Sequence, residues 1–65
     1  MQAHQQRVVE EKAELDERIE RLQQFTLSLT FRDLDYIDQE LLRHQQHLME
    51  GLSAVLGTRI QRFTA

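Results

Sequence analysis

The sequence predicts an all-α fold, an antiparallel helical hairpin that assembles into a symmetric oligomer, and three observations carry that prediction. Two long stretches repeat their apolar residues every three or four positions, the period of a helix packed along one side. There is no proline and there are only two glycines, so little interrupts either stretch. Finally, 65 residues with no cysteine and no Cys/His ligand cluster bury too little surface for a comfortable monomeric core, which leaves oligomerisation as the supplement. Residues 1–65 are read as a single helical-hairpin domain.

Met1 to Gln6, MQAHQQ, is polar and is expected to fray unless a neighbouring subunit holds it, although His4 stands one turn before Val8 on the apolar side. The first helix is predicted over about residues 4–25, with Val8, Leu15, Ile19, Leu22 and Phe25 as its apolar stripe. Glu14 to Arg18 and Glu17 to Arg21 are spaced as i,i+4 pairs in the favoured order. From Phe25 to Arg32, FTLSLTFR, the period drops to two. A lone strand has no partner in so short a helical chain, so this stretch is expected to be a semi-extended connector that tucks its apolar side chains under the hairpin. Thr30 or Asp33 is placed to cap the second helix.

That helix is predicted over about 33–63. Leu34, Ile37, Leu41, Leu48, Leu52 and Val55 form one apolar row, and Leu42, Met49, Leu56, Ile60 and Phe63 form the next. One antiparallel helix covers roughly one stripe, so the second row is expected to face another subunit. Gly51 and Gly57 each cost ~1 kcal/mol against Ala inside a helix, which close backbone approach or a kink would justify.

A formal charge of −3 excludes a broad electrostatic footprint for a DNA or RNA polymer and restricts any anionic ligand to a small one. No apolar run is long enough for a signal peptide or a membrane span, so the protein is expected to be soluble and intracellular, with no membrane partner. Catalysis is not expected. There is no cysteine nucleophile, no Gly-rich phosphate loop and no carboxylate pair in an evident pocket, and no cofactor is implied. His44 and His47 are three apart but lack a third ligand of clear geometry, so no metal is expected. The four aromatic residues, Phe25, Phe31, Tyr36 and Phe63, are too few for a stacking platform along a nucleic acid strand but enough to sandwich one base.

The candidate binding residues are charges that interrupt the apolar faces. Arg59 projects between Leu48, Leu52, Val55 and Phe63, and burying it unpaired is very costly. The simpler account is a salt bridge to Glu11 or Asp16, or a side chain that snorkels at the hairpin end. The functional account is an anion site, since the guanidinium is a planar donor fork suited to phosphate and copies of Arg59 could converge in a symmetric oligomer. Arg18 repeats the argument on the first helix, with Arg7 one and a half heptads before it and Glu11 or Glu14 as the simpler partner. Lys12 occupies a slot where a strict heptad wants an apolar residue, a usual device for fixing register.

The segments HQQRVVEEKAELDERIERLQQF and LLRHQQHLMEGLSAVLGTRIQRF resemble the small phage proteins that share the hairpin domain of anti-CBASS and anti-Thoeris sponges. The resemblance runs from His4 to Phe63, and RVVEEKAELDERI and LGTRI are its most telling pieces. It implies a hexamer of helical hairpins that sequesters cyclic nucleotide immune signals without cleaving them, in the cytoplasm of the infected bacterial host. Members that bind cyclic dinucleotides hold each one between protomers with a basic residue of the first helix and an aromatic residue near the N-terminus. Members that bind cyclic trinucleotides use a threefold-axis pocket lined by an Arg of the second helix. Carried over, the first-helix position looks like Arg18 and the threefold Arg looks like Arg59, with His4, Arg7 or Lys12 assisting. This chain has no Tyr before the first helix, where only His4 could stack, which weakens the dinucleotide assignment more than the trinucleotide one. It also lacks the extra β segment of the anti-Thoeris relatives. The alternative from the residues alone is a coiled-coil adapter whose wide apolar face binds a partner helix.

Overall fold

In the computed structural model, which describes residues 2–63, the chain is helical nearly throughout. Three elements follow in order: α1, Ala3–Thr26; a single-turn α2, Leu29–Arg32; and α3, Tyr36–Arg62. No strand is present among the described residues. Met1, Thr64 and Ala65, which the expected domain also spans, lie outside the described residues.

The first helix starts earlier than the expected fraying segment allows. The Gln5 side-chain oxygen accepts from the Gln2 backbone N–H at 3.1 Å, which satisfies one of the free donors of the first turn. At the other end, the stretch expected to be a semi-extended connector is instead a bend followed by a helical turn. Ser28 causes this. Its hydroxyl donates to the Phe25 carbonyl at 2.6 Å and accepts from the Phe31 N–H at 3.2 Å, closing α1 and capping α2 with one side chain. The alternating apolar residues therefore do not share one side. Phe31 is buried, meeting Phe25 edge to face at 6.1 Å, while Leu27 and Leu29 stand 79 % and 72 % exposed.

Neither Thr30 nor Asp33 caps the second long helix. Thr30 lies inside α2, and Asp33 ends it, its N–H donating to the Leu29 and Thr30 carbonyls. The N-cap of α3 is Asp35, which offers no side-chain bond. Gln39 does the joining, its amide donating to the carbonyls of Phe31 at 2.9 Å, Arg32 at 3.2 Å and Leu34 at 3.2 Å. One side chain thus satisfies the last carbonyls of α2 and clamps it to α3.

Against α1 packs the row Leu42, Met49, Leu56, Ile60 and Phe63, around a buried cluster of Val8, Leu15, Ile19 and Leu56. The row left outside is Ile37, Leu41, Leu48, Leu52 and Val55, each 46–64 % exposed. This reverses the expected roles of the two rows, and the reason lies in a polar seam. Lys12 Nζ donates to Asp16 at 2.7 Å and to Ser53 Oγ at 3.1 Å, and Ser53 donates to the second Asp16 oxygen. Satisfying Ser53 there turns the adjoining Met49–Leu56–Ile60 row inward. The result is a rod 46 Å long and 14 Å across. A compact chain of this mass exposes about 4,400 Å². This one exposes 5178 Å², much of it apolar and on α3.

Candidate ligand-binding face

The polar seam also fixes which charges share a face. Lys12, Asp16 and Ser53 touch, and a Cβ placed on Gly57 would stand 3.2 Å from Lys12 Cε, so all four mark one flank of the hairpin. Arg18 is two residues beyond Asp16 and Arg59 is two beyond Gly57. At ~100° per residue each is turned about 160° away, onto the opposite flank. Leu48, Leu52 and Val55 point to that same side, so the interrupted apolar row of α3 and the odd cations of α1 form one continuous surface.

Along the rod the cations separate. Lys12 lies opposite Ser53 and Gly57, which places Arg59 level with about residue 8, beside Arg7 at the open end of the hairpin. Arg18 is about ten residues further along, or about 15 Å at 1.5 Å per residue. One protomer therefore cannot bring Arg18 and Arg59 onto the same small ligand. His4 lies one turn beyond Arg7 towards the open end, exposed like the three arginines. Lys12 is on the other flank, its ammonium held by Asp16 and Ser53.

The simpler pairings expected for these cations are not formed. Among the described residues Arg7, Arg18 and Arg59 have no ion pair or hydrogen bond, and neither the Glu14–Arg18 nor the Glu17–Arg21 pair closes. Asp16, one of the partners anticipated for Arg59, is on the far flank and occupied. Its carboxyl is held below the usual 3.8 by the hydrogen bond from Lys12 and then by that from Ser53. Exposure removes the need for the other pairs, because a surface ion pair gains little over two hydrated charges. Arg59 does gain from standing in the last turn of α3, where the helix dipole favours a cation. Apart from that it is free to meet an anion, and the apolar residues around it are bare.

Sequence reasoning missed Ser53, whose role appears only once the two helices are in register, and it missed a basic groove at the closed end. There Arg43 lies over the Phe31 ring at 5.1 Å and binds Glu40 at 2.8 Å. Among the described residues no three His, Asp or Glu side chains gather as a metal site, His44 and His47 included. No helix among them is long and apolar enough to cross a membrane.

The family model described as Sequestin matches residues 2–62 of the chain. No curated protein and no solved structure matches it.

Proposed function

The chain belongs to the Sequestin family, and from that premise we propose that it binds cyclic oligonucleotide second messengers and holds them without cleaving them. The ligands are cyclic trinucleotides, with cyclic dinucleotides as a second class. The binding unit is a homo-oligomer, expected to be a hexamer, acting in the cytoplasm of a phage-infected bacterium. The observation that carries this reading is Arg59, a guanidinium with no ion pair among the described residues, set in an uncovered apolar row.

Covering that row with copies of the chain removes Leu41, Leu48, Leu52 and Val55 from water, at roughly 25 cal/mol per Å² of apolar surface. It also brings copies of Arg59 towards one another in a drier setting. Like charges drawn together need an anion, and a cyclic oligonucleotide offers one phosphate per nucleotide in a matching ring. Each Arg gives a phosphate two donors in a fixed plane. The 15 Å between Arg18 and Arg59 along one hairpin supports two separate pockets, with Arg18 serving dinucleotides between protomers and Arg59 serving trinucleotides on an axis. His4 and Arg7 flank the Arg59 level and assist there. Sequestration needs only mass action: a protein in excess over the signal lowers its free concentration by an amount set by the dissociation constant.

The test is to incubate the protein with a panel of cyclic di- and trinucleotides, measure binding, denature the complex and recover the ligand. Intact nucleotide is the expected result. Altered nucleotide would make the protein an enzyme. Absence of binding across the panel would favour the second reading, a helical adapter, for which the same uncovered row is the supporting observation.

A further inference from the structure

The closed end of the hairpin holds a groove of about 450 Å³ lined by Thr26, Leu27, Phe31, Arg32, Gln39 and Arg43, within the size range of small-molecule pockets. It continues along α3 to Gln46. Its walls are fixed: Ser28 sets the bend, Gln39 ties α2 to α3, and Phe25 braces Phe31. Arg43 is held twice, with the Phe31 ring under its guanidinium and Glu40 on Nη1. Its side chain is still half exposed, so the face turned away from Phe31 meets solvent and the other nitrogens retain their donors. Arg32 adds a second cation, and the carboxylate in contact with these cations is that of Glu40, on Arg43 Nη1. Leu27, largely exposed, forms a bare apolar edge.

We propose that this groove is a separate site for a phosphate ester that carries a planar ring, a nucleoside monophosphate being the simplest example. The phosphate meets the free guanidinium donors of Arg43 and Arg32. The ring lies on the exposed side of the Arg43 guanidinium and rests against Leu27, since a guanidinium plane stacks on nucleobases as it does on aromatic side chains. Arg43 falls within about 40° of Gly57 around α3, on the flank opposite Arg59 and the apolar row. An assembly that covers Leu41, Leu48 and Val55 leaves this groove open, so occupancy here is independent of the Arg59 pocket.

The probe is adenosine 5′-monophosphate, titrated into the full protein while the Leu27 methyl and Arg43 side-chain resonances are followed by NMR. Inorganic phosphate and adenosine are the comparison arms. Saturable shifts at both residues are expected, with phosphate about tenfold weaker and adenosine weaker still. Arg43→Gln should reduce affinity about tenfold, while Arg43→Lys, which keeps the charge but loses the plane, should bring the monophosphate down to the level of phosphate. Arg59→Ala should leave the monophosphate titration as it is in the native protein, which separates this site from the one proposed above. Absence of saturable shifts, native affinity in a folded Arg43→Gln protein read at the Leu27 methyls, or loss of binding in Arg59→Ala would each overturn the proposal.

Discussion

Gly51 is the residue at which protomer stability and proposed assembly give opposite answers. It lies in the interior of α3 at the edge of the bare apolar row, and a Cβ built on it meets nothing within 4 Å. Within one chain the glycine has no packing reason, and Gly51→Ala should stabilise the helix by ~1 kcal/mol, the usual difference in a helix interior. For a domain of this size that is a rise in melting temperature of about 4–8 °C. If a helix of another copy crosses here, the added methyl overpacks the crossing at a cost of about 1–3 kcal/mol. The helical gain is present in free and associated chains alike, so only the overpacking reaches the association constant, which should weaken about 5- to 150-fold. Circular dichroism melts at high dilution give the first quantity, and sedimentation across a dilution series gives the second. A variant that melts higher but associates as tightly as the native chain would show that nothing crosses Gly51, and the argument for a covered row at that level would fail.

Two further perturbations test the hairpin itself. Leu56 is 2 % exposed at the centre of the core, so Leu56→Ala should cost about 2–5 kcal/mol and lower the melting temperature by at least about 8 °C; a smaller loss in thermal denaturation would mean that α3 packs on α1 differently. Asp16 has its carboxyl pKa depressed by Lys12 and Ser53, so its contribution is present above the unfolded value near 3.8 and lost as pH falls through the lower folded value. The difference in melting temperature between the native protein and Asp16→Asn should therefore be constant above about pH 5 and shrink below pH 3.8, and a difference that grows on acidification would reverse the assignment.

The long helices were readable because burying Val8, Leu15 and Ile19 on α1 and Leu56 on α3 imposes a 3.6-residue period that no proline breaks. The turn was not, because its alternation of Phe25, Leu27, Leu29 and Phe31 mimics a strand. What decides it is the Ser28 hydroxyl, which competes locally for the Phe25 carbonyl and the Phe31 N–H. The two apolar rows of α3 are nearly equal in hydrophobicity, so periodicity could not rank them. The contact of Ser53 with Lys12 and Asp16 ranks them, and it depends on a hairpin register that neither helix encodes alone. Arg18 and Arg59 were visible as charges in the wrong place. Their common flank and their separation along the rod follow from the same register.

The most direct test is ligand titration by calorimetry, comparing the native protein with Arg59→Ala at equal assembled mass and with a cyclic trinucleotide as ligand. The proposed role predicts that the variant assembles as the native protein does and melts within a few degrees of it, because Arg59 has no intrachain side-chain partner among the described residues and gives up only the helix-end interaction, about 0.3–1 kcal/mol. It also predicts loss of trinucleotide binding, while Arg18→Ala leaves that binding in place. Native affinity in a correctly assembled Arg59→Ala protein would contradict the role assigned to this residue.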